Sequence, residues 1–133
     1  MSVAAIVVAG GRGERFGGLK QFAELHGRTL ASLSVERCRE VADVVVLVVP
    51  ANYGGDGEGA DVVVHGGVTR SESVRAGLSH CGDAEIIVVN MARFDEDVIS
   101  GAERCRLLIR HGIGYDNVDV DACTRHRIRF AYQ

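Results

Sequence analysis

The sequence predicts an α/β protein, specifically a Rossmann-like three-layer sandwich with a mainly parallel sheet. Two observations carry this prediction. Short runs rich in Val and Ile, several ending at glycine or proline, are typical of strands that are buried on both faces of a parallel sheet. Segments with a helical repeat of three or four residues separate these runs, and such alternation implies helices packed on the faces of the sheet.

Six apolar runs are the candidate strands. The first ends at Gly10, the second at Pro50 and the third at Gly66, which are residue types that terminate strands. The sixth run is the weakest candidate. The runs lie at residues 3–9, 44–49, 61–64, 86–89, 107–109 and 128–131.

Helix signals occur between these runs. Apolar residues recur at helical spacing across residues 29–42. Thr69 and Glu72 have the spacing of a capping box, which predicts a helix that starts there. Acidic residues at 95–97 favour a helix N-terminus, and either Asn117 or Asp119 is placed to cap a last helix that runs through Arg125.

Length and charge limit the classes of protein to which this chain can belong. A chain of 133 residues fits one compact domain over residues 1–133. A net charge of -3 offers no basic surface, so we expect no nucleic-acid partner. The apolar runs are far shorter than the ~20 residues of a membrane span, and the N-terminus lacks a basic region before its apolar run, so we expect a cytoplasmic protein without membrane contact. Four cysteines without a C-x-x-C pair predict buried, reduced thiols.

A glycine-rich loop, residues 9–22, follows the first strand, where ligands bind in open α/β sheets. Phe16 stands where a dinucleotide motif needs glycine, and Leu19 stands where a P-loop needs glycine before its lysine. Glycine amides can nevertheless approach an anion closely, while Arg15 and the chain's one lysine, Lys20, supply positive charge that suits a triphosphate. The alternative is a glycine-rich turn with two solvated cations.

Two motifs carry a family resemblance. Residues 9–15 and 19–22 read A-G-G-R-G-E-R and L-K-Q-F, and they resemble the signature of 2-C-methyl-D-erythritol 4-phosphate cytidylyltransferases. Residues 66–78 resemble that family's second motif, G-G-x-x-R-x-x-S-V-x-x-G-L. The resemblance covers about residues 3–89, and we call residues 1–89 the N-terminal segment.

The resemblance implies a reaction and a set of site residues. A substrate phosphate, that of 2-C-methyl-D-erythritol 4-phosphate in isoprenoid precursor synthesis, would attack the α-phosphorus of CTP and release pyrophosphate, with Mg²⁺ bridging oxygens. Arg15 and Lys20 would be catalytic. The resemblance leaves homodimerisation open. It assigns nucleotide binding to Ala9, Gly10, Gly11, Arg12, Gly13, Gly67, Arg70 and Ser73.

The sequence departs from the family at the metal position. Asn90 stands where the family has its metal-binding aspartate. Because Mg²⁺ is normally held by carboxylates and substrate phosphates, a neutral carbonyl predicts a much weaker site. The chain also ends before the family's later site residues, so we expect impaired turnover.

The C-terminal segment, residues 90–133, has a different resemblance. Its stretch at 107–122, L-L-I-R-H-G-I-G-Y-D-N-V-D-V-D-A, is similar to the substrate domain of D-2-hydroxyacid dehydrogenases such as phosphoglycerate dehydrogenase. Arg127 stands where those proteins usually have glycine after the last helix. The chain is therefore interpreted as a hybrid. The alternatives to a cytidylyltransferase-like protein are a fragment of a dehydrogenase substrate-binding domain and a non-catalytic folded chimera.

Overall fold

A computed structural model describes residues 2–12, 17–81, 83–89, 92–110 and 113–132. The strands and helices alternate along most of the chain, as the sequence predicts. The strands are β1 (Val3–Val8), β2 (Glu24–Leu25), β3 (Arg28–Thr29), β4 (Val44–Val49), β5 (Val62–His65), β6 (Ile86–Val89), β7 (Leu107–Arg110) and β8 (Arg129–Tyr132). The α-helices are α1 (Leu30–Arg39), α2 (Arg70–Leu78), α3 (Glu96–Ser100) and α4 (Val120–Arg125), and a 3-10 helix spans Lys20–Phe22.

Six strands form one sheet in the order β5-β4-β1-β6-β7-β8, and every pair of neighbours is parallel. The chain moves outward from β1 to β5, crosses back through α2, and then moves outward again from β6 to β8. The order therefore reverses between β1 and β6. In open α/β sheets, this reversal opens a crevice at the carboxyl ends of the strands.

Helices lie on both faces of the sheet, which confirms the predicted α/β class. Side chains alternate between the faces of a strand, and β4 shows this directly. Leu47 packs with Val35 of α1 on one face, whereas Val46 packs with Cys81, just beyond α2, on the other. The fully buried positions of β4 explain its continuous apolar run.

The second face is covered by α2, α3 and α4. Val74 of α2, Val98 of α3 and Cys123 of α4 share one buried cluster with Leu108 of β7. This cluster joins the two segments of the chain, and β6 pairs with both β1 and β7. The N-terminal and C-terminal segments therefore share a single sheet and core.

The face that carries α1 is covered unevenly. Ile87 and Leu108 point toward α2–α4, so Ile86, Val88 and Leu107 point to the opposite face. Val88 is 43% exposed there. Within the described ranges, no helix covers this half of the sheet.

The helix caps follow the sequence closely. Thr69 and Glu72 form the predicted capping box of α2. Asp95 caps α3, and Asp119, rather than Asn117, caps α4 by accepting from the amide of Ala122. None of the helices that the model describes is long and apolar enough to cross a membrane.

Candidate functional site

A cleft of about 510 Å³ lies at the carboxyl ends of β1, β4 and β5. We call it the loop cleft. Three separate stretches of sequence line it, because parallel neighbours end at the same edge of the sheet. The lining residues are Gly10, Arg12, Leu19, Pro50, Ala51, Asn52, Gly66, Gly67 and Val68.

Gln21 holds the first wall of the loop cleft in place. Its side-chain amide Nε2 donates to the carbonyl oxygens of Ala9 at 2.6 Å and Gly11 at 2.8 Å. Ala9 itself is buried, and its amide donates to the carbonyl of Val48 on the neighbouring strand at 2.7 Å. The side chain of Gln21 thus bridges two carbonyls on either side of Gly10 and fixes the start of the loop.

The 3-10 helix that carries Lys20 and Gln21 is anchored by an aromatic contact. Phe22 packs on Tyr53, with ring centroids 4.8 Å apart. The Tyr53 hydroxyl accepts from the amide of Gly57 at 2.9 Å and donates to Glu58 at 3.2 Å. The loop after β4 and the loop after β1 therefore support each other at the cleft.

Close packing explains the two glycines of the second motif. A Cβ on Gly66 would lie 2.5 Å from the Ser73 hydroxyl oxygen, and a Cβ on Gly67 would lie 2.7 Å from Oε2 of Glu72. Real Cβ atoms do not approach other atoms so closely. The backbone of this cleft wall therefore lies directly against the first turn of α2.

Glu72 is held as a carboxylate at that turn. It accepts from the backbone amide of Thr69 at 2.8 Å, and its own amide donates to the Thr69 hydroxyl at 3.1 Å. The hydrogen bond from the Thr69 amide is the largest influence on Glu72, and it holds the pKa of this carboxyl below its ordinary value. The capping box thus fixes both the helix start and the position of Gly67.

The structure brings several predicted nucleotide-binding residues together. Gly10, Arg12 and Gly67 line the loop cleft, although Gly10 and Gly67 are far apart in sequence. Ala9 and Gly11 lie on either side of Gly10, and Gln21 donates a hydrogen bond to the carbonyl oxygen of each.

Other predicted site residues lie elsewhere. Ser73 is 3% exposed, and its hydroxyl donates to the carbonyl of Thr69 at 3.1 Å, behind the glycine wall. Lys20 and Arg70 are exposed and are outside the set of described residues that line the cleft. Gly13, Arg15 and Asn90 fall outside the described residues, so their predicted roles stay predictions.

Sequence reasoning missed part of the lining. Pro50, Ala51 and Asn52 form the turn after β4. The sequence pattern predicts only that Pro50 ends the strand, and it assigns no role to Ala51 or Asn52. A usable signal existed, since β4 was predicted to be a buried parallel strand and therefore ends at the same edge as β1. The positioning role of Gln21 had no such signal, because it depends on where its side chain folds back.

The described residues do not fit a magnesium site. Across the described ranges, no group of three or more His, Cys, Asp and Glu side chains is arranged to hold a metal ion. The described residues that line the loop cleft include a cation, Arg12, and an amide, Asn52, but no carboxylate. Mg²⁺ prefers carboxylate and phosphate oxygens, so these residues alone do not provide its ligands.

The C-terminal segment is organised around Asn117. Its side-chain oxygen accepts from Nε of Arg110 at 3.0 Å, and its Nδ2 donates to the carbonyl of Ala92 at 2.7 Å. Arg110 is 8% exposed, so this hydrogen bond helps to satisfy a buried charge. Tyr115 packs on Phe130 and Tyr132, with ring centroids 5.7 Å and 4.7 Å away. These contacts give the dehydrogenase-like stretch a structural role in this fold.

Curated relatives match the first of the two predicted resemblances. The chain is 40% identical over 107 residues to the "Bifunctional enzyme IspD/IspF" of Novosphingobium aromaticivorans, a match that covers 71% of this chain and 28% of that protein. It is 35% identical over 116 residues to the "2-C-methyl-D-erythritol 4-phosphate cytidylyltransferase" of Roseobacter denitrificans, covering 75% of this chain and 52% of that protein. The chain thus spans between about a quarter and a half of the length of these relatives.

Solved structures resemble the fold over its whole length. The "PH0520 protein" of Pyrococcus horikoshii superposes with a TM-score of 0.50 and 16% identity, covering 100% of this chain and 28% of that one. A "3-phosphoglycerate dehydrogenase" of Entamoeba histolytica gives a TM-score of 0.48 and 19% identity, covering 98% of this chain and 32% of that one. At these identities the likeness is one of fold alone.

A family model decides the family of the chain. The model described as "MobA-like NTP transferase domain" matches residues 5–92, which include both glycine motifs and all the residues that line the loop cleft. The match covers well over half of the chain. The protein therefore belongs to the MobA-like NTP transferase family and is similar to the 2-C-methyl-D-erythritol 4-phosphate cytidylyltransferases.

Proposed function

We propose that this protein binds CTP in the loop cleft and is a cytidylyltransferase with impaired turnover. One observation carries the proposal. The two glycine motifs are separated by about fifty residues of sequence, yet Gly10, Arg12 and Gly67 line the same cleft. A nucleotide-binding role accounts for both motifs at once, because a nucleotide needs a phosphate subsite and a base subsite within one cavity.

The triphosphate is assigned to the β1 side of the cleft. The backbone after β1 is bridged by Gln21. Gly10 and Gly11 carry no side chains of their own, so their amides allow an anion to approach closely. Arg12 lines this side, and its planar guanidinium matches pairs of phosphate oxygens. Arg15 and Lys20 would add positive charge as the triphosphate settles.

The cytosine is assigned to the β5 side. Gly66, Gly67 and Val68 form a wall without bulky polar side chains, and the turn at Pro50–Asn52 lines the same cleft. Backbone amides and carbonyls on such a wall distinguish bases by hydrogen bonds to their edges. Ser73 supports this wall from behind, so its contribution to base binding acts through Gly66.

The proposed chemistry is transfer of CMP to a phosphorylated sugar alcohol, 2-C-methyl-D-erythritol 4-phosphate. An oxygen of the acceptor phosphate forms a bond to the α-phosphorus of CTP. The bond from that phosphorus to the bridging oxygen breaks, and pyrophosphate leaves with the bonding electrons. Arg12, Arg15 and Lys20 would balance the negative charge that develops, while the cleft holds the reactants in line. A homodimer belongs to the same proposal.

We propose impaired turnover because of the side chains that are available to bind a metal ion. The described lining residues supply no carboxylate, and Asn90 replaces the aspartate that the family resemblance expects. Binding of CTP depends mainly on the cleft and its cations, whereas turnover also depends on the metal. We therefore expect CTP to bind while CMP transfer is slow.

Calorimetric titration with CTP tests the proposal. Arg12→Gln should weaken binding about tenfold, because hydrogen bonds between charged groups contribute ~1.5–3 kcal/mol. Arg37→Gln removes the same charge from an exposed ion pair on α1 and is the matched control. Equal affinity in Arg12→Gln and Arg37→Gln would place CTP outside the loop cleft, and no binding by the wild-type protein would reject the function itself.

The metal position needs its own measurement. Asn90→Asp should make CTP binding stronger with Mg²⁺ than with EDTA, whereas the wild-type protein should show a smaller difference. If the substitution leaves the effect of Mg²⁺ unchanged, then Asn90 does not correspond to the family's metal-binding aspartate.

A further inference from the structure

A second and larger cleft, of about 840 Å³, opens at the amino ends of β6, β7 and β8. We call it the arginine cleft. Ile86 and Leu107, which are neighbours in register, belong to its apolar lining on the face that α1 leaves uncovered. The loop cleft lies beyond the opposite ends of the strands, so the two clefts are separated by the length of the sheet.

Charge is concentrated in the arginine cleft. Four arginines line it, Arg104, Arg106, Arg127 and Arg129, against two carboxylates, Glu85 and Glu103. With His126 neutral, these side chains leave a net charge of +2 in a protein whose formal net charge is -3. This local excess of positive charge is therefore opposite in sign to the whole molecule, and it would attract anions.

Three of these guanidinium groups have no partner among the residues that the structure describes. Arg104 pairs with Asp83 at 3.2 Å, but Arg106, Arg127 and Arg129 have no hydrogen bond or ion pair from their side chains to any residue that the model describes. The amide of Arg129 donates to the carbonyl of Arg106 at 2.9 Å, so Arg106, just before β7, lies beside the first residue of β8. The cleft therefore presents adjacent, unpaired donors.

The backbone conformation at position 127 is unfavourable for arginine. Its φ is 60°, the left-handed region, where a side chain other than that of glycine is strained. The amide of Ile128 donates to the carbonyl of Cys123 at 2.8 Å, and that of Arg127 donates to Thr124 at 3.1 Å, which together form a Schellman motif. Glycine is the usual residue at this position. Arginine here carries a cost in stability and places a guanidinium at the cleft.

We propose that the arginine cleft binds a phosphate polyanion, a molecule with at least two linked phosphate groups. Guanidinium groups match pairs of phosphate oxygens, and three of them can contact two or more linked phosphate groups at once. Because Arg104 is paired with Asp83, the positive charge available to a ligand comes from Arg106, Arg127 and Arg129. Such a group of cations favours a ligand with several negative charges. The volume is within the range of small-molecule sites, ~300–1,000 Å³. This site shares no lining residue with the loop cleft.

Inorganic tripolyphosphate is the probe, and amide NMR shifts locate where it binds. We expect the amides of Leu107 and Arg129 to shift on titration. The double variant Arg106→Gln/Arg129→Gln should weaken tripolyphosphate binding at these amides at least tenfold and leave the CTP-induced shifts of residues 9–12 and 66–68 unchanged. Arg28→Gln/Arg37→Gln removes the same charge from exposed ion pairs and is the matched control, expected to stay within twofold of the wild-type protein.

The Arg127→Gly variant distinguishes an effect on tripolyphosphate binding from an effect on folding. It should lower tripolyphosphate affinity several-fold without lowering the melting temperature, because glycine suits the left-handed backbone. Shifts confined to residues 9–12 and 66–68 would overturn the proposal and leave the CTP site standing. Equal losses in the cleft variant and in the control would also overturn it, because they would show nonspecific attraction. Tripolyphosphate shifts at Leu107 and Arg129, with no CTP-induced shift at residues 9–12 and 66–68, would support this cleft and reject the proposed function.

Discussion

Gly66 and Ser73 are packed so closely that a Cβ on Gly66 would lie 2.5 Å from the serine hydroxyl oxygen. The hydroxyl is buried and donates to the carbonyl of Thr69 at 3.1 Å, one turn back in α2. The serine of the second motif therefore supports the wall of the loop cleft. Any influence on a nucleotide passes through the glycine backbone in front of it.

This contact predicts that substitutions at the two positions are coupled. Gly66→Ala should destabilise the fold by about 1–3 kcal/mol, because the new methyl overlaps Ser73 and contacts Val48. Ser73→Ala removes the hydroxyl, so the double variant should be more stable than the sum of the single effects predicts, by ~0.5 kcal/mol or more. Urea unfolding of the four proteins measures the coupling. If the two effects on stability are additive, the backbone at residue 66 moves away from Ser73 instead.

Gln21 predicts an effect on ligand binding as well as on stability. Gln21→Ala removes the donors to the carbonyls of Ala9 and Gly11, so the loop after β1 is no longer fixed. We expect CTP affinity to fall about tenfold, since each of the two hydrogen bonds contributes ~1 kcal/mol. Glu24→Ala, on the nearby exposed hairpin, is the control for truncation. Unchanged affinity for CTP in Gln21→Ala would remove this residue from the site.

Arg127→Gly should stabilise the protein. The left-handed conformation costs a non-glycine residue about 1 kcal/mol, and glycine removes that cost while the Schellman hydrogen bonds stay in place. Arg125→Gly is the contrasting variant, because Arg125 is helical and pairs with Glu96, so its loss should be destabilising. The thermal unfolding midpoints of both variants measure these changes in stability. A lower midpoint for Arg127→Gly would mean that the arginine contributes contacts that exceed its backbone strain.

Glu72 predicts a dependence of stability on pH. Its pKa in the folded protein lies below the ordinary value of 4.5, mainly because of the hydrogen bond from the Thr69 amide. A lowered folded-state pKa stabilises the fold fully above about pH 4.5, and this stabilisation is lost as the pH falls through the folded-state pKa. Glu72→Gln should therefore be less stable than the wild-type protein at pH 7, with a difference that shrinks toward pH 3. A constant difference would show that the charge has no part in the cap.

The cysteines should differ in their reactivity toward alkylating reagents. Burial raises the pKa of Cys81 to about 11 and that of Cys105 to about 11, so their thiols stay protonated and shielded at pH 8. Burial also raises the pKa of Cys38, but this residue is only half-buried on α1. Iodoacetamide labelling followed by mass spectrometry should modify Cys38 first, and the buried thiols should react only after unfolding in urea. Early labelling of Cys81 would indicate that the region behind α2 opens easily.

The sequence determined the local elements of this protein because their causes are local. The apolar run of β4 stops at Pro50, and Thr69 and Glu72 cap α2 through hydrogen bonds within one helical turn. The strand before Gly10 and the glycine motifs also follow from residue type and spacing. The short hairpin of β2 and β3 was missed, because each strand has only two residues and no pattern can emerge over that length.

Tertiary structure alone decided which residues meet. The order of the strands brings the ends of β1, β4 and β5 together, so the turn after Pro50 lines the cleft without belonging to a motif. Packing between elements also places Ser73 behind Gly66 and brings the side chain of Gln21 to the carbonyl of Ala9. At the opposite edge, the same sheet gathers arginines from separate stretches of sequence into one cleft. Spacing along a chain fixes neighbours within one turn or strand, whereas distances between elements are set only when the sheet assembles and the helices bury their apolar faces.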